Sequence, residues 1–185
     1  MQVGKTLLKL KLKPHRGNGN GTKPGKVEKM TINKWNEKAE KIFSENADRL
    51  KAAENTENGA YFSVNGCVAY FLPGEKIYCT DKSVYKTRLA SAFNADGILA
   101  DNVKHGKIIS NYGHRNALKL TACNGEKVAY LQEKFTREFP KNALYYVKDY
   151  KSPVLVGIWE NGILHLIAAV CPVLVAPVMG NEFVA

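Results

Sequence analysis

Residues 143 to 173, ALYYVKDYKSPVLVGIWENGILHLIAAVCPV, constrain the fold more than any other stretch. Three apolar runs follow one another with turn chemistry between them. Tyr145, Tyr146 and Val147 form the first. Asp149 to Pro153 is turn material, and Val154 to Trp159 is a second run rich in β-branched residues. Asn161-Gly162 is a strong hairpin signal, because both central residues of a tight two-residue turn need positive φ. Ile163 to Val170 is the third run. A meander this apolar must be buried on at least one face, so the rest of the chain has to cover it.

The chain has 185 residues, enough for one domain with a real core or at most two small ones. With 45% apolar and 24% charged residues it is ordinary globular material. No apolar run reaches the roughly 18 residues of a membrane span, and lysines from Lys9 to Lys13 interrupt the leucines a signal peptide would need. A cytoplasmic location is expected. Cys67, Cys79, Cys123 and Cys171 form no CxxC pair and no metal spacing, so they are read as buried free thiols.

The net charge of +10 is lopsided: residues 1–29 hold eight basic residues against Glu28 alone, seven of the ten net charges. Charge of this kind speaks about partners, not fold. Within it, Leu8, Leu10 and Leu12 alternate with Lys9, Lys11 and Lys13, which predicts a strand with one wet face. Gly4-Lys5-Thr6 lacks the upstream glycine of a phosphate-binding loop. Residues 14–26 are a flexible loop, either a solvated hairpin connection or a segment tracking phosphates with His15, Arg16, Lys23 and Lys26.

Residues 27–32 predict a short strand, and Asn33 an N-cap for a helix over about 34–53. Trp35, Ala39, Ile42, Phe43, Ala47 and Leu50 recur at helical spacing as its buried stripe. Its other face mixes Lys34, Lys38, Lys41, Arg49 and Lys51 with Glu37, Glu40, Glu45 and Asp48. Residues 60–80 predict three strands, turning at Asn65-Gly66 and Pro73-Gly74. Residues 83–116 suggest a short helix, irregular structure and a strand at 107–112. Asp101, His105 and His114 lie there without metal spacing. Residues 117–123 alternate as a strand. A helix over about 125–139 follows, with Val128, Leu131, Phe135 and Phe139 as its stripe and Pro140 as its stop.

The two halves share an order. Strand, helix and three strands occupy 27–80, and again 117–170. Lys29-Met30-Thr31 lies 90 residues before Lys119-Leu120-Thr121, and Pro73-Gly74 lies 88 before Asn161-Gly162. The expected architecture is one α+β domain over 27–173, a duplicated βαβββ unit with two helices packed on antiparallel sheet. A basic N-terminal strand and loop (1–26) precedes it and an apolar tail (174–185) follows.

That build resembles one domain of the DNA sliding clamps, the β-clamp and PCNA superfamily. The last third is similar to clamp-like proteins of phages and mobile elements. It has a helix with Tyr130-Leu131, an SP turn at Ser152-Pro153, an ENG turn at Glu160-Asn161-Gly162, and a closing strand ending in Pro172-Val173. The resemblance implies helices presenting basic side chains to duplex DNA without reading sequence. On this chain those are Lys34, Lys38, Lys41 and Arg49 on the first helix, and Lys127, Lys134 and Arg137 on the second. Two departures stand against a working clamp: there is room for one domain where clamp protomers have two or three, and both helices are close to charge-balanced.

Two functions are therefore expected of the chain, neither enzymatic. The first is a phage or mobile-element protein that binds duplex DNA or a nucleoprotein complex through Lys9, Lys11, Lys13, Arg16, Lys23, Lys26 and the helix-borne bases. It would work with polymerase and form homo-oligomers. The second is an interaction protein inhibiting a host defence nuclease such as a CRISPR effector, an anti-CRISPR role. There the apolar tail, with Val175, Val178 and Phe183, is a contact surface, a dimer interface, or a segment packed back onto the sheet. No paired acids, activated nucleophile or phosphate-cradling glycines are evident, and no metal or cofactor is implied. His165, in an apolar strand, reads as a satisfied core histidine.

Overall fold

A computed structural model describes residues 29–95, 104–112, 115–121 and 128–174 of the chain. The element order is α1 (Ile32–Ser44), β1 (Ala52–Thr56), β2 (Gly59–Ser63), β3 (Val68–Pro73), β4 (Lys104–Tyr112), β5 (Arg115–Thr121), β6 (Val128–Gln132), α2 (Glu133–Thr136), β7 (Leu144–Tyr146), β8 (Val154–Glu160) and β9 (Ile163–Val170). Short 3-10 turns lie at Ala47–Arg49, Lys82–Lys86 and Ala90–Phe93. The fold is α+β, with two helices and antiparallel sheet.

Six strands form one sheet in the order β1-β2-β3-β9-β8-β7, and β4-β5-β6 form a second. All paired neighbours are antiparallel. The larger sheet is two three-strand meanders joined where β3 meets β9. Read inward from either edge, its strands come as first, second and third of a meander, each meander preceded by a helix.

The anticipated C-terminal meander is present, and its turns follow the predicted chemistry. Asn161 and Gly162 take φ of 51° and 78°, the two left-handed positions of the β8–β9 turn. The Asp149 carboxylate accepts from Lys151 N–H (2.8 Å), Ser152 N–H (2.6 Å) and Ser152 Oγ (2.7 Å), shaping the turn into β8. Those bonds, the Ser152 side chain first, hold its pKa below the ordinary value. The Asn65-Gly66 turn also forms: Asn65 Oδ1 accepts from the N–H groups of Cys67 (2.8 Å) and Val68 (2.9 Å).

β9 carries one extra residue. Val156 pairs with Ala168 and Gly157 with Leu166, leaving Ile167 unopposed. This bulge lets consecutive Ile167 and Ala168 both enter the main core, while Leu166 and Ala169 face the other side. The main core lies between the large sheet and a cover of α1, α2 and the β5–β6 hairpin. Trp35, Phe62, Leu120, Leu131, Val156 and Ile158 are among its buried residues. A smaller core on the opposite face joins Leu89 and Phe93 to Ala52, Tyr146, Leu155 and Ala169, with Tyr61, Phe71, Leu144, Leu164 and Leu166 partly buried around it.

Several sequence expectations are corrected. No strand forms over the described part of 27–32; residues 29–31 are irregular and Ile32 already begins α1. Its N-cap is Thr31, whose side chain accepts from Lys34 N–H at 3.4 Å, not Asn33. The helix stops at Ser44, not near 53. Asn46 Nδ2 donates to Ile42 O (2.8 Å), closing the last turn, and Lys51 N–H already donates to Ser63 O (2.8 Å) as the sheet ladder begins. Ala52 and Ala53 can serve a strand because each enters a different core.

The run KIYCT (76–80) is not a strand. Ile77 is instead tied to β1 by one side chain: Asn55 Nδ2 donates to Ile77 O and Asn55 Oδ1 accepts from Ile77 N–H, both at 2.9 Å. The predicted second helix is the largest miss. Residues 128–132 are a strand in register with β5, Leu118 opposite Leu131 and Leu120 opposite Ala129, and of the described residues in the predicted span only Glu133–Thr136 turn as a helix. Ala129 and Leu131 point inward by period two while Val128 of the predicted stripe is only half-buried; Leu131, Phe135 and Phe139 are buried, as either reading requires.

Candidate functional site: the face formed by the two helices

Tertiary packing brings α1 and the α2 region side by side. The Trp35 and Phe139 rings lie 5.7 Å apart, and Phe139 meets Tyr145 edge-on at 6.2 Å. The Asn142 amide brackets the residue ahead of the helix: Met30 N–H donates to Asn142 Oδ1 (3.1 Å) and Asn142 Nδ2 donates to Met30 O (3.0 Å). The predicted basic residues Lys34, Lys38, Lys41, Lys134 and Arg137 thus come from neighbouring elements.

Their charges are largely committed within the protein. Lys38 Nζ donates to the Glu138 carbonyl and lies over the Trp35 ring, 5.5 Å from its centroid. Lys41 is 3.8 Å from Glu45, one turn on. Arg137 donates from Nη2 (2.8 Å) and Nε (3.3 Å) to Glu133 Oε1. Lys134 sits over the Phe135 ring at 4.7 Å. Arg49 is not on α1; it ends a 3-10 turn, where it donates to Glu45 O (3.3 Å) and Asn46 Oδ1 (3.1 Å) and stands 3.9 Å from Asp48. Exposed pairs such as Lys41–Glu45 contribute at most about 1 kcal/mol each, so phosphates could still compete for them.

Glu138 is the acid that ties this face to the sheet. Its Oε2 accepts from the Tyr70 hydroxyl of β3. Burial, and after it this carboxylate, raise the Tyr70 pKa, so Tyr70 stays a neutral donor.

Lys9, Lys11, Lys13, Arg16, Lys23, Lys26 and Lys127 lie outside the described residues, as do Val175, Val178 and Phe183. So do His15, Asp101, His114 and Cys123. His165 is half-buried on β9. Among the described residues no three His, Cys, Asp or Glu side chains gather as a metal site, and no helix is long and apolar enough to cross a membrane. The cysteines depart from expectation: Cys67 and Cys79 are half-buried and Cys171 is exposed.

Sequence reasoning passed over Tyr78, 87% exposed. Its neighbours are anchored, Ile77 by Asn55 and Cys79 through its N–H to Tyr85 Oη (2.8 Å), so the phenol projects from a fixed backbone. The only sequence signal was its place in KIYCT, a run expected to form a strand. No family model, curated protein or solved structure matches the chain.

Proposed function

We propose that this is a non-enzymatic DNA-associated protein of a phage or mobile element. A clamp-like domain supports a basic segment that grips duplex DNA or a nucleoprotein complex without sequence specificity. The observation that carries the reading is the partition of charge. Seven of ten net positive charges lie in residues 1–29, while the described helix-face bases largely face acids, carbonyls or rings of their own chain. Phosphate binding then falls mainly to Lys9, Lys11, Lys13, Arg16, Lys23 and Lys26, with Lys34, Lys38, Lys41, Lys134 and Arg137 secondary.

The clamp-like part of the reading draws on topology. Two helix-plus-meander units in the same chain order meet antiparallel at β3 and β9, as a duplicated unit would. Partnership with a polymerase and assembly into a ring belong to the same proposal; light scattering of the protein with and without duplex DNA tests the oligomer.

The deciding measurement is the salt dependence of duplex binding. Each phosphate contact contributes about −0.9 to the slope of log K against log salt. Replacing the six N-terminal bases by Gln in the full chain should flatten the slope by several units. Gln at Lys34, Lys41, Lys134 and Arg137 should change it by about one or less. An unchanged slope for the N-terminal variant overturns the reading.

The near-balanced helix face also favours a second reading, an interaction protein inhibiting a host defence nuclease, for example a CRISPR effector. Slowed DNA cleavage by such a purified nuclease on adding the protein supports it, and uninhibited cleavage at saturating protein rejects it.

A further inference from the structure

Cys67, just before β3, and Cys171, just after β9, flank adjacent strands at the seam between the two meanders. The β3–β9 ladder pairs Val68 with Val170, Ala69 with Ala169 and Tyr70 with Ala168. The next rung outward sets Cys67 opposite Cys171. That rung is half made: Cys171 N–H donates to Cys67 O at 2.8 Å, while Cys67 N–H turns to Asn65 Oδ1 at 2.8 Å. Residues opposed in this way have Cα atoms about 5.5 Å apart, within the range a disulfide spans. Both backbone groups of Cys67 are thus held, its C=O by Cys171 and its N–H by Asn65, which fixes the two residues side by side.

Neither residue is in a disulfide here; Cys171 is exposed and Cys67 half-buried. Although residue 171 is exposed, its sulfur is partly sunk. Burial first, and the neighbouring Cys67 second, raise its pKa, so each thiol lies within electrostatic reach of the other. Among the described residues no second cysteine lies opposite Cys79 in a strand ladder; it sits in the anchored loop beside Tyr78.

We propose that Cys67 and Cys171 form a modification site, a cross-strand dithiol that closes to a disulfide by exchange with small disulfides of the glutathione class. The more accessible Cys171 loses its proton and attacks one sulfur of the small disulfide, expelling one thiolate and leaving a mixed disulfide. The Cys67 thiolate then attacks the Cys171 sulfur, forming the protein S–S bond and expelling the second small thiolate. The two cysteine protons end on the two released thiols. The protein loses two electrons and the small disulfide gains them.

The new bond would also pin the chain where it leaves the large sheet for the small one, since Val173 N–H donates to Tyr130 O on β6 at 2.7 Å. It would close a loop of about 100 residues, which restricts the unfolded chain and raises Tm by about 5 °C or more. The inference stands independently of any DNA or nuclease partner.

The test equilibrates the full chain in oxidised-to-reduced glutathione buffers, alkylates remaining thiols, and maps peptides by mass. A peptide linked through Cys67 and Cys171 is expected, with both thiols lost together and the raised Tm reversed by reductant. Closure should quicken as pH rises, because Cys171 ionises later than an ordinary thiol. Cys171→Ser should abolish the link and the Tm rise, and Cys79→Ser should leave both intact. Separate glutathione adducts on Cys67 and Cys171 without a link, or links made only to Cys79 or Cys123, would overturn the proposal.

Discussion

The hydroxyl of Tyr70, in the middle of β3, donates to the Glu138 carboxylate just beyond α2. The two residues are 68 positions apart. The bond joins the first meander to the polypeptide leading into the second, and the backbone carbonyl of the same Glu138 receives Lys38 from α1.

Removing the Tyr70 hydroxyl should therefore be felt at both ends. Tyr70→Phe leaves a partly buried carboxylate without its donor and should cost about 1–3 kcal/mol. Urea unfolding at pH 7 should show a lower midpoint with little change in slope. A midpoint equal to wild type would mean that solvent replaces the hydroxyl at no cost.

Three core tyrosines set the alkaline limit of stability. Burial pushes Tyr145 and Tyr146 up to about 12, and burial followed by Glu138 raises Tyr70. Above pH of about 10 the unfolded chain releases these protons while the folded chain retains them. The unfolded state then binds fewer protons, so stability is complete below pH 10 and falls as pH rises toward 12. Each tyrosine contributes a slope of up to about 1.4 kcal/mol per pH unit. Urea midpoints at pH 9, 10 and 11 should decline with increasing steepness, and a flat series would contradict the assignment.

Trp35 is wholly buried, yet its indole N–H has no hydrogen-bond partner among the described residues. The residue thus acts through its ring, packed on Phe139. Trp35→Ala should cost about 3–5 kcal/mol. Trp35→Phe keeps an aromatic contact and removes the unsatisfied donor, so its loss should be well under half of that. Equal losses in thermal unfolding would show that the nitrogen matters after all.

Gly59 and Gly66 both have positive φ but should respond differently to alanine. At Gly59, φ is 154° and an added Cβ would lie 2.3 Å from the Leu72 carbonyl oxygen across the ladder. At Gly66, φ is 74° and the space is open. Gly59→Ala should cost about 3 kcal/mol or more, combining backbone strain with overpacking, and Gly66→Ala about 1 kcal/mol. Chemical denaturation of the two variants side by side distinguishes them, and the reverse order would be incompatible with the close β2–β3 approach at Gly59.

Asn55 both donates to and accepts from Ile77, so an acid of the same shape cannot replace it at neutral pH. Asn55→Asp sets a carboxylate against the Ile77 carbonyl and should destabilise by about 1–3 kcal/mol. Protonation restores a donor, so the gap from wild type should narrow below pH of about 4. A gap independent of pH would place the loss elsewhere. Asn55→Ala, which lacks both groups, should show no such narrowing.

Local chemistry determined much of this protein. Asn65-Gly66, Pro73-Gly74 and Asn161-Gly162 turn where their residues say they should, because a positive φ is a property of a few residue types and needs no distant partner. The continuous apolar runs of β8 and β9, bounded by turn residues, and the helical spacing of apolar residues at the start of α1 were legible for a similar reason, being local patterns. The concentration of positive charge before residue 30 is likewise a sequence fact.

Tertiary structure decided where local preference was divided. Lys51-Ala52-Ala53-Glu54 and Val128-Ala129-Tyr130-Leu131 fit a helix by propensity and spacing, and both runs lie in or lead into strands. Pairing with β2 and with β5 supplies backbone partners and buries Ala53, Ala129 and Leu131 in the main core. Tertiary packing likewise set Cys67 opposite Cys171, brought Glu138 to Tyr70, and committed Lys38 within the protein. The Cys67, Glu138 and Lys38 contacts cannot be read from spacing, since each joins residues whose proximity exists only after the chain has packed, whereas Arg137 meets Glu133 one turn away and is a local pair.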